Sequence, residues 1–168
     1  MRAVLPILLL LALAACGSSR HSAPAVVAPL RPHLGEPISC VPYARARSGI
    51  GLSGDAWQWW DAAAGRYDRG AAPRPGSVLV IGRTPRMRAG HIAVVARVLG
   101  PREILVDHAN WASGTARGRI ATDQRVVDVS PRNDWSQVRV WYPPINALGI
   151  TAYPASGFVH ATTRFAGG

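Results

Sequence analysis

From residue 77 to residue 142 the chain is a series of short, β-branched apolar runs set between turn residues, and no other feature constrains its fold as tightly. Residues 77–81, 91–99, 103–111, 120–129 and 137–142 each have the length and composition of a strand, with Gly100-Pro101 and Ser113-Gly114 among the turns between them. Connections this short favour an antiparallel meander. Upstream the apolar period is helical. Residues 41–48 hold no breaker after Pro42 and are followed by Gly49, which predicts a short helix with a glycine stop and with Cys40 at its N-terminus. Residues 55–64, between Gly54 and Gly65, predict a second helix with Trp57, Trp60 and Ala64 on one face, so these tryptophans read as core. The 14 prolines and 17 glycines space turns too closely for a bundle of long helices. Helices first and strands after give an α+β domain, its N-terminal helices packed on a curled antiparallel sheet. No internal repeat is visible.

The start of the chain carries an address. Arg2 precedes an apolar run over residues 5–15, closed by Leu13-Ala14-Ala15-Cys16. This resembles a bacterial lipoprotein signal, and the resemblance implies cleavage before Cys16 and acylation of that residue. The run is shorter than the roughly 20 residues a bilayer core requires, so the protein is expected to be anchored to a membrane of the cell envelope rather than to span it. Residues 16–37, interrupted by Pro24, Pro29, Pro32 and Pro37, read as a flexible tether. One domain over 38–160 and a tail over 161–168 complete the 168 residues.

The formal charge is +10, and every one of the 19 basic residues is arginine. The arginines are scattered rather than gathered into an arm, which argues against a nucleic-acid partner. A basic exterior favours acidic polymers or anionic head groups, although composition bias explains it equally well. Only two cysteines occur, Cys16 and Cys40. Acylation of Cys16 leaves Cys40 without a partner, and a lone thiol in an oxidising compartment invites a chemical reading.

A thiol at a helix N-terminus has its thiolate stabilised by unpaired backbone N–H groups, and Arg45 and Arg47 are close enough in sequence to assist. His91 follows Gly90 and opens the strand His91-Ile92-Ala93-Val94-Val95, where a rigid sheet would fix an accessible base. The next run ends Asp107-His108-Ala109-Asn110-Trp111. Alternation puts His108 and Asn110 on one face and Asp107 on the other, so a neighbouring strand could orient His91 through its partner nitrogen.

Together these residues resemble the CHAP family, the cysteine- and histidine-dependent amidohydrolases and peptidases of papain-like fold that cut peptidoglycan. The matching pieces are Ser39-Cys40-Val41-Pro42-Tyr43-Ala44-Arg45, Gly54-Asp55-Ala56-Trp57, Pro75-Gly76-Ser77-Val78-Leu79-Val80, Gly90-His91-Ile92-Ala93-Val94-Val95, Asp107-His108-Ala109-Asn110-Trp111 and Tyr153-Pro154-Ala155-Ser156-Gly157-Phe158-Val159. The resemblance implies Cys40 as nucleophile, His91 as general base and then acid, and Asn110 in the polar cluster that orients it. Many members carry Glu two residues before that Asn, where this chain has His108. The third member is therefore open, with Asn110 and His108 ranked together ahead of Asp107. The implied reaction is acyl transfer through a Cys40 thioester, with the Cys40 backbone N–H as an oxyanion donor and with Trp111, joined by Trp57 or Trp59, as candidates to line a groove. His91, His108 and Asp107 could be read as zinc ligands, but no His-Glu-x-x-His or paired-cysteine spacing accompanies them, so no metal or other cofactor is expected. A non-catalytic envelope-binding module of the same fold is the alternative.

Overall fold

Ser39 is the last extended residue before the chain enters helix α1, Cys40–Ser48, in the computed structural model, which describes residues 37–112 and 114–161. The leader, Cys16, the tether through residue 36 and the tail from residue 162 lie outside the described residues. Pro42 is tolerated in α1 because first-turn N–H groups have no intrahelical partner to lose. Gly49, at φ 75°, ends the helix and returns its N–H to the Arg45 carbonyl at 3.0 Å. The second helical segment is shorter than its period predicts. A 3₁₀ turn, Ala56–Gln58, leads into a single turn α2, Trp59–Ala62. Its buried stripe is Ala56, Trp59 and Ala63, not Trp57, Trp60 and Ala64. Trp57 instead stacks under the Arg83 guanidinium at 3.9 Å, and Trp60 under that of Arg69 at 4.9 Å. Neighbouring tryptophans offer two helical stripes, and the sheet beneath decides which is buried.

The strands are β1 Asp68–Gly70, β2 Val78–Ile81, β3 His91–Gly100, β4 Glu103–Ala109, β5 Ile120–Asp128, β6 Gln137–Tyr142, β7 Ala147–Leu148 and β8 Tyr153–His160. All pairings are antiparallel, and β2 to β6 form the predicted meander. The sheet does more than curl. Strand β8 pairs with β2 on one side and with β6 on the other, through Gln137↔Pro154 and Val138↔Tyr153, and so closes a six-stranded ring. Sequence reasoning gave no strand there, because Pro154, Ser156 and Gly157 interrupt the apolar pattern.

Two cores result. Leu79, Ile81, Ala93, Val95, Ile104, Val106, Val126 and Phe158 fill the inside of the ring with their neighbours. Val78, Val80, Ile92 and Val94 point outward and are covered by Ala44, Ile50, Leu52, Trp59 and Ala63 from the helical region. Both faces of β2 and the first half of β3 are buried, which is why those strands read as continuous apolar runs rather than alternating ones. The fold is α+β, mostly sheet, with few helical turns.

Candidate active site

Antiparallel order fixes where the site can be. Strands β2, β4 and β6 end, and β3, β5 and β8 begin, at the same mouth of the ring, so the connections 82–90, 110–119 and 143–152 converge there. A cleft of about 1060 Å³ opens at this mouth, and Cys40, His91, Asn110 and Trp111 all line it.

Cys40 occupies the first position of α1 and is half-buried. Burial raises its thiol above the ordinary value. The backbone N–H groups of Ile92, Cys40 and Val41 around the sulfur act in the opposite direction, and the Asp55 carboxylate pushes the value up again. The helix N-terminus thus contributes as the sequence suggests, but desolvation outweighs it. Arg45 and Arg47 do not assist. They lie in the last turn of α1, and Arg47 Nε is held by Asp107 Oδ2 at 3.1 Å.

His91 is set by Gly90. At φ 67°, with an ideal Cβ falling 2.7 Å from the Ile81 carbonyl and within 3.0 Å of Trp57, position 90 admits glycine alone without strain. His91 Nε2 lies 3.1 Å from His108 Nδ1, across the β3–β4 pairing. One proton joins these nitrogens, and Nδ1 is the ring nitrogen of His91 left over. Both rings are buried, His91 to 3 % exposure and His108 to 0 %. Burial, and secondarily the neighbouring His108, lowers His91 well below the usual imidazole range, and burial lowers His108 to about 4. Burial therefore favours the uncharged form of the thiol and of both imidazoles. The Trp111 ring covers the pair, 4.8 Å from His91 and 5.7 Å from His108, and is held by its Nε1–H donating to the Trp141 carbonyl at 3.0 Å.

Of the three candidates for orienting His91, the structure brings His108 to it. Asn110, at φ 59°, spends its amide oxygen on the Gly118 N–H at 2.9 Å, and Gly118 in turn accepts the Ile38 N–H. It secures the chain just before Cys40. Asp107 faces α1, where it binds Arg47 and accepts the Asp123 N–H at 3.0 Å. A register shift in the β4–β5 pairing lies between Val106 and His108, yet it does not turn Asp107 inward. Trp111 lines the cleft, whereas Trp59 is core and Trp57 lies off the cleft wall. Sequence reasoning missed the Ile92 N–H, the closeness of Asp55 to the sulfur, and three cleft arginines, Arg86, Arg88 and Arg117. A backbone donor leaves no mark in a sequence, and the arginines were lost among 16 others. Among the described residues no group of three or more His, Cys, Asp or Glu is arranged to hold a metal ion.

Residues 33–110 match the CHAP domain family. The match covers a little under half of the chain, and CHAP domains are typically hydrolases acting on peptidoglycan. The matched stretch contains Cys40, His91, His108 and Asn110, while strands β5 to β8 follow it. No curated protein matches the chain.

Proposed function

We propose that this protein is a cysteine hydrolase of amide or peptide bonds in peptidoglycan, held at the cell envelope by an acylated Cys16. The observation that carries the catalytic reading is that His91, hydrogen-bonded to the buried His108, lines the same cleft as Cys40. Cys40 at a helix start and His91 at a strand start also suit the papain-like arrangement that the resemblance implies.

In this reading His91 Nδ1 takes the thiol proton as Cys40 Sγ attacks the carbonyl carbon. The positive charge that forms on His91 is met by His108 Nδ1 accepting from Nε2–H, a role that requires His108 to stay neutral, as its burial favours. The Cys40 N–H, in the first turn of α1, donates to the oxyanion. The C–N bond breaks as His91 returns its proton to the leaving amine. Water, deprotonated by His91, then cleaves the thioester to release a carboxylate and restore the thiol.

Mass analysis of fragments released from purified peptidoglycan tests this. Cys40→Ala and His91→Ala should each lower release by about a thousandfold or more, and the double variant should lose little beyond either, because the two act as one unit. Release that survives either substitution would overturn the mechanism. Sedimentation with peptidoglycan but no fragments from the parent would leave a non-catalytic envelope-binding module.

A further inference from the structure

The three connections at the ring mouth differ sharply in charge. Residues 82–90, turned by reciprocal 3.1 Å hydrogen bonds between the backbones of Thr84 and Met87, bring Arg86 and Arg88 to the cleft, and residues 110–119 bring Arg117. Residues 143–152 hold no charged side chain and expose Ile145 and Ile150 instead. Elsewhere in the described fold, Arg47, Arg97, Arg102, Arg125 and Arg132 are each paired with a carboxylate, while Arg69, Arg83 and Arg139 are engaged instead by rings or backbone carbonyls. Arg86, Arg88 and Arg117 have no such partner among the described residues, and all three are exposed. Among the described residues, the one acidic residue lining the cleft is Asp55, which sits close enough to Cys40 to raise its thiol. Three unpaired guanidinium groups against one carboxylate leave the cleft electropositive.

We infer that these arginines form a carboxylate-recognising subsite, and that the preferred substrate is an acidic peptide with free carboxylates near the scissile amide. This deepens the hydrolase reading above and rests on it for the reaction, though not for binding. A guanidinium fork matches a carboxylate with two parallel N–H donors, and a partly enclosed cleft strengthens such pairs. The arginines come from two separate loops beside an apolar one, which suits a short peptide carrying charge at more than one point along an otherwise apolar chain. A phosphate-rich polymer would call for a continuous basic track instead.

The test uses the full chain in detergent with Cys40→Ala, so that binding is read without turnover. The probes are a synthetic peptide with two free carboxylates, its bis-amide, and a glycerol phosphate oligomer. The dicarboxylate should bind about tenfold or more tighter than the bis-amide, an advantage weakened by salt. Arg86→Ala, Arg88→Ala and Arg117→Ala should each erode that advantage while leaving bis-amide binding unchanged. In the active chain the same substitutions should raise KM for peptidoglycan with free carboxylates and leave kcat within about twofold, as expected for uniform binding groups. Equal affinity for the two peptides, no binding of either, arginine variants that keep the ratio, or tighter arginine-dependent binding of the phosphate oligomer would each overturn the subsite. Absence of hydrolysis with the peptide preference intact would overturn the reaction instead, so the two failures are distinguishable.

Discussion

Between His91 Nε2 and His108 Nδ1 there is room for one proton, and its position decides whether His91 can act as a base. If His91 donates, its Nδ1 is free to accept; His108 must then carry a proton on Nε2, a buried atom with no hydrogen-bond partner. The pair is therefore held neutral at a cost that appears on acidification. An imidazole whose folded value is lowered binds fewer protons folded than unfolded, so its full stability is present above the unfolded value of about 6.5 and is lost as pH falls. For His108 that loss runs down to about 4. The slope is about 1.4 kcal/mol per pH unit for each imidazole in the window. Urea midpoints between pH 7.5 and 4.5 should fall accordingly in the parent. His108→Glu places a carboxylate against His91 and favours its imidazolium, so the slope should diminish and the acid limb of kcat/KM should move to higher pH. Identical slopes and profiles in the two proteins would mean that His108 does not govern His91.

At the scale of elements, the site is assembled by ties between segments that are distant in sequence. Arg47–Asp107 fastens α1 to β4, Asn110–Gly118–Ile38 fastens the approach to α1, and the Trp57 N–H to the Ala89 carbonyl, at 3.2 Å, fastens the 3₁₀ turn to the residues before β3. The last tie is possible because Gly90 lets the backbones approach. Gly90→Ala combines a left-handed φ with contacts below 3.0 Å to the Ile81 carbonyl and to Trp57. It should cost about 2 kcal/mol or more and displace His91, lowering both the urea midpoint and hydrolysis. Gly76→Ala is the control: it shares a positive φ of 82° but meets nothing within 4 Å, so it isolates the conformational part of the cost. Equal losses at the two positions would show that close approach at position 90 matters little.

For the whole molecule, the family match ends at Asn110 while the ring is closed by β8, so the matched stretch lacks the strand that pairs with both β2 and β6. If the tether alone joins anchor and domain, Cys16→Ser should abolish labelling by radioactive palmitate and release a product with the parent's circular dichroism and urea midpoint. Palmitate retained on the variant, or a variant that no longer folds, would contradict the proposed anchor.

What the sequence determined by itself was local. The start and stop of α1, the strands from Val78 to Tyr142, and Cys40 and His91 as the pair worth following are written in caps, turn residues and apolar period, which act over a few neighbouring residues. Tertiary structure decided the rest. Trp59 rather than Trp57 or Trp60 is buried because the sheet selects one of two available stripes, and β8 forms despite Pro154 and Gly157 because β2 and β6 each present an edge to it. Strand alternation left Asn110 and His108 equal candidates. His108 reaches His91 because the β3–β4 register places it there and the 110–119 turn claims the Asn110 oxygen first. The direction in which the Cys40 thiol is shifted was likewise beyond the sequence, since a helix N-terminus lowers a thiol by a rule of position, whereas the desolvation that outweighs it depends on everything packed around the sulfur.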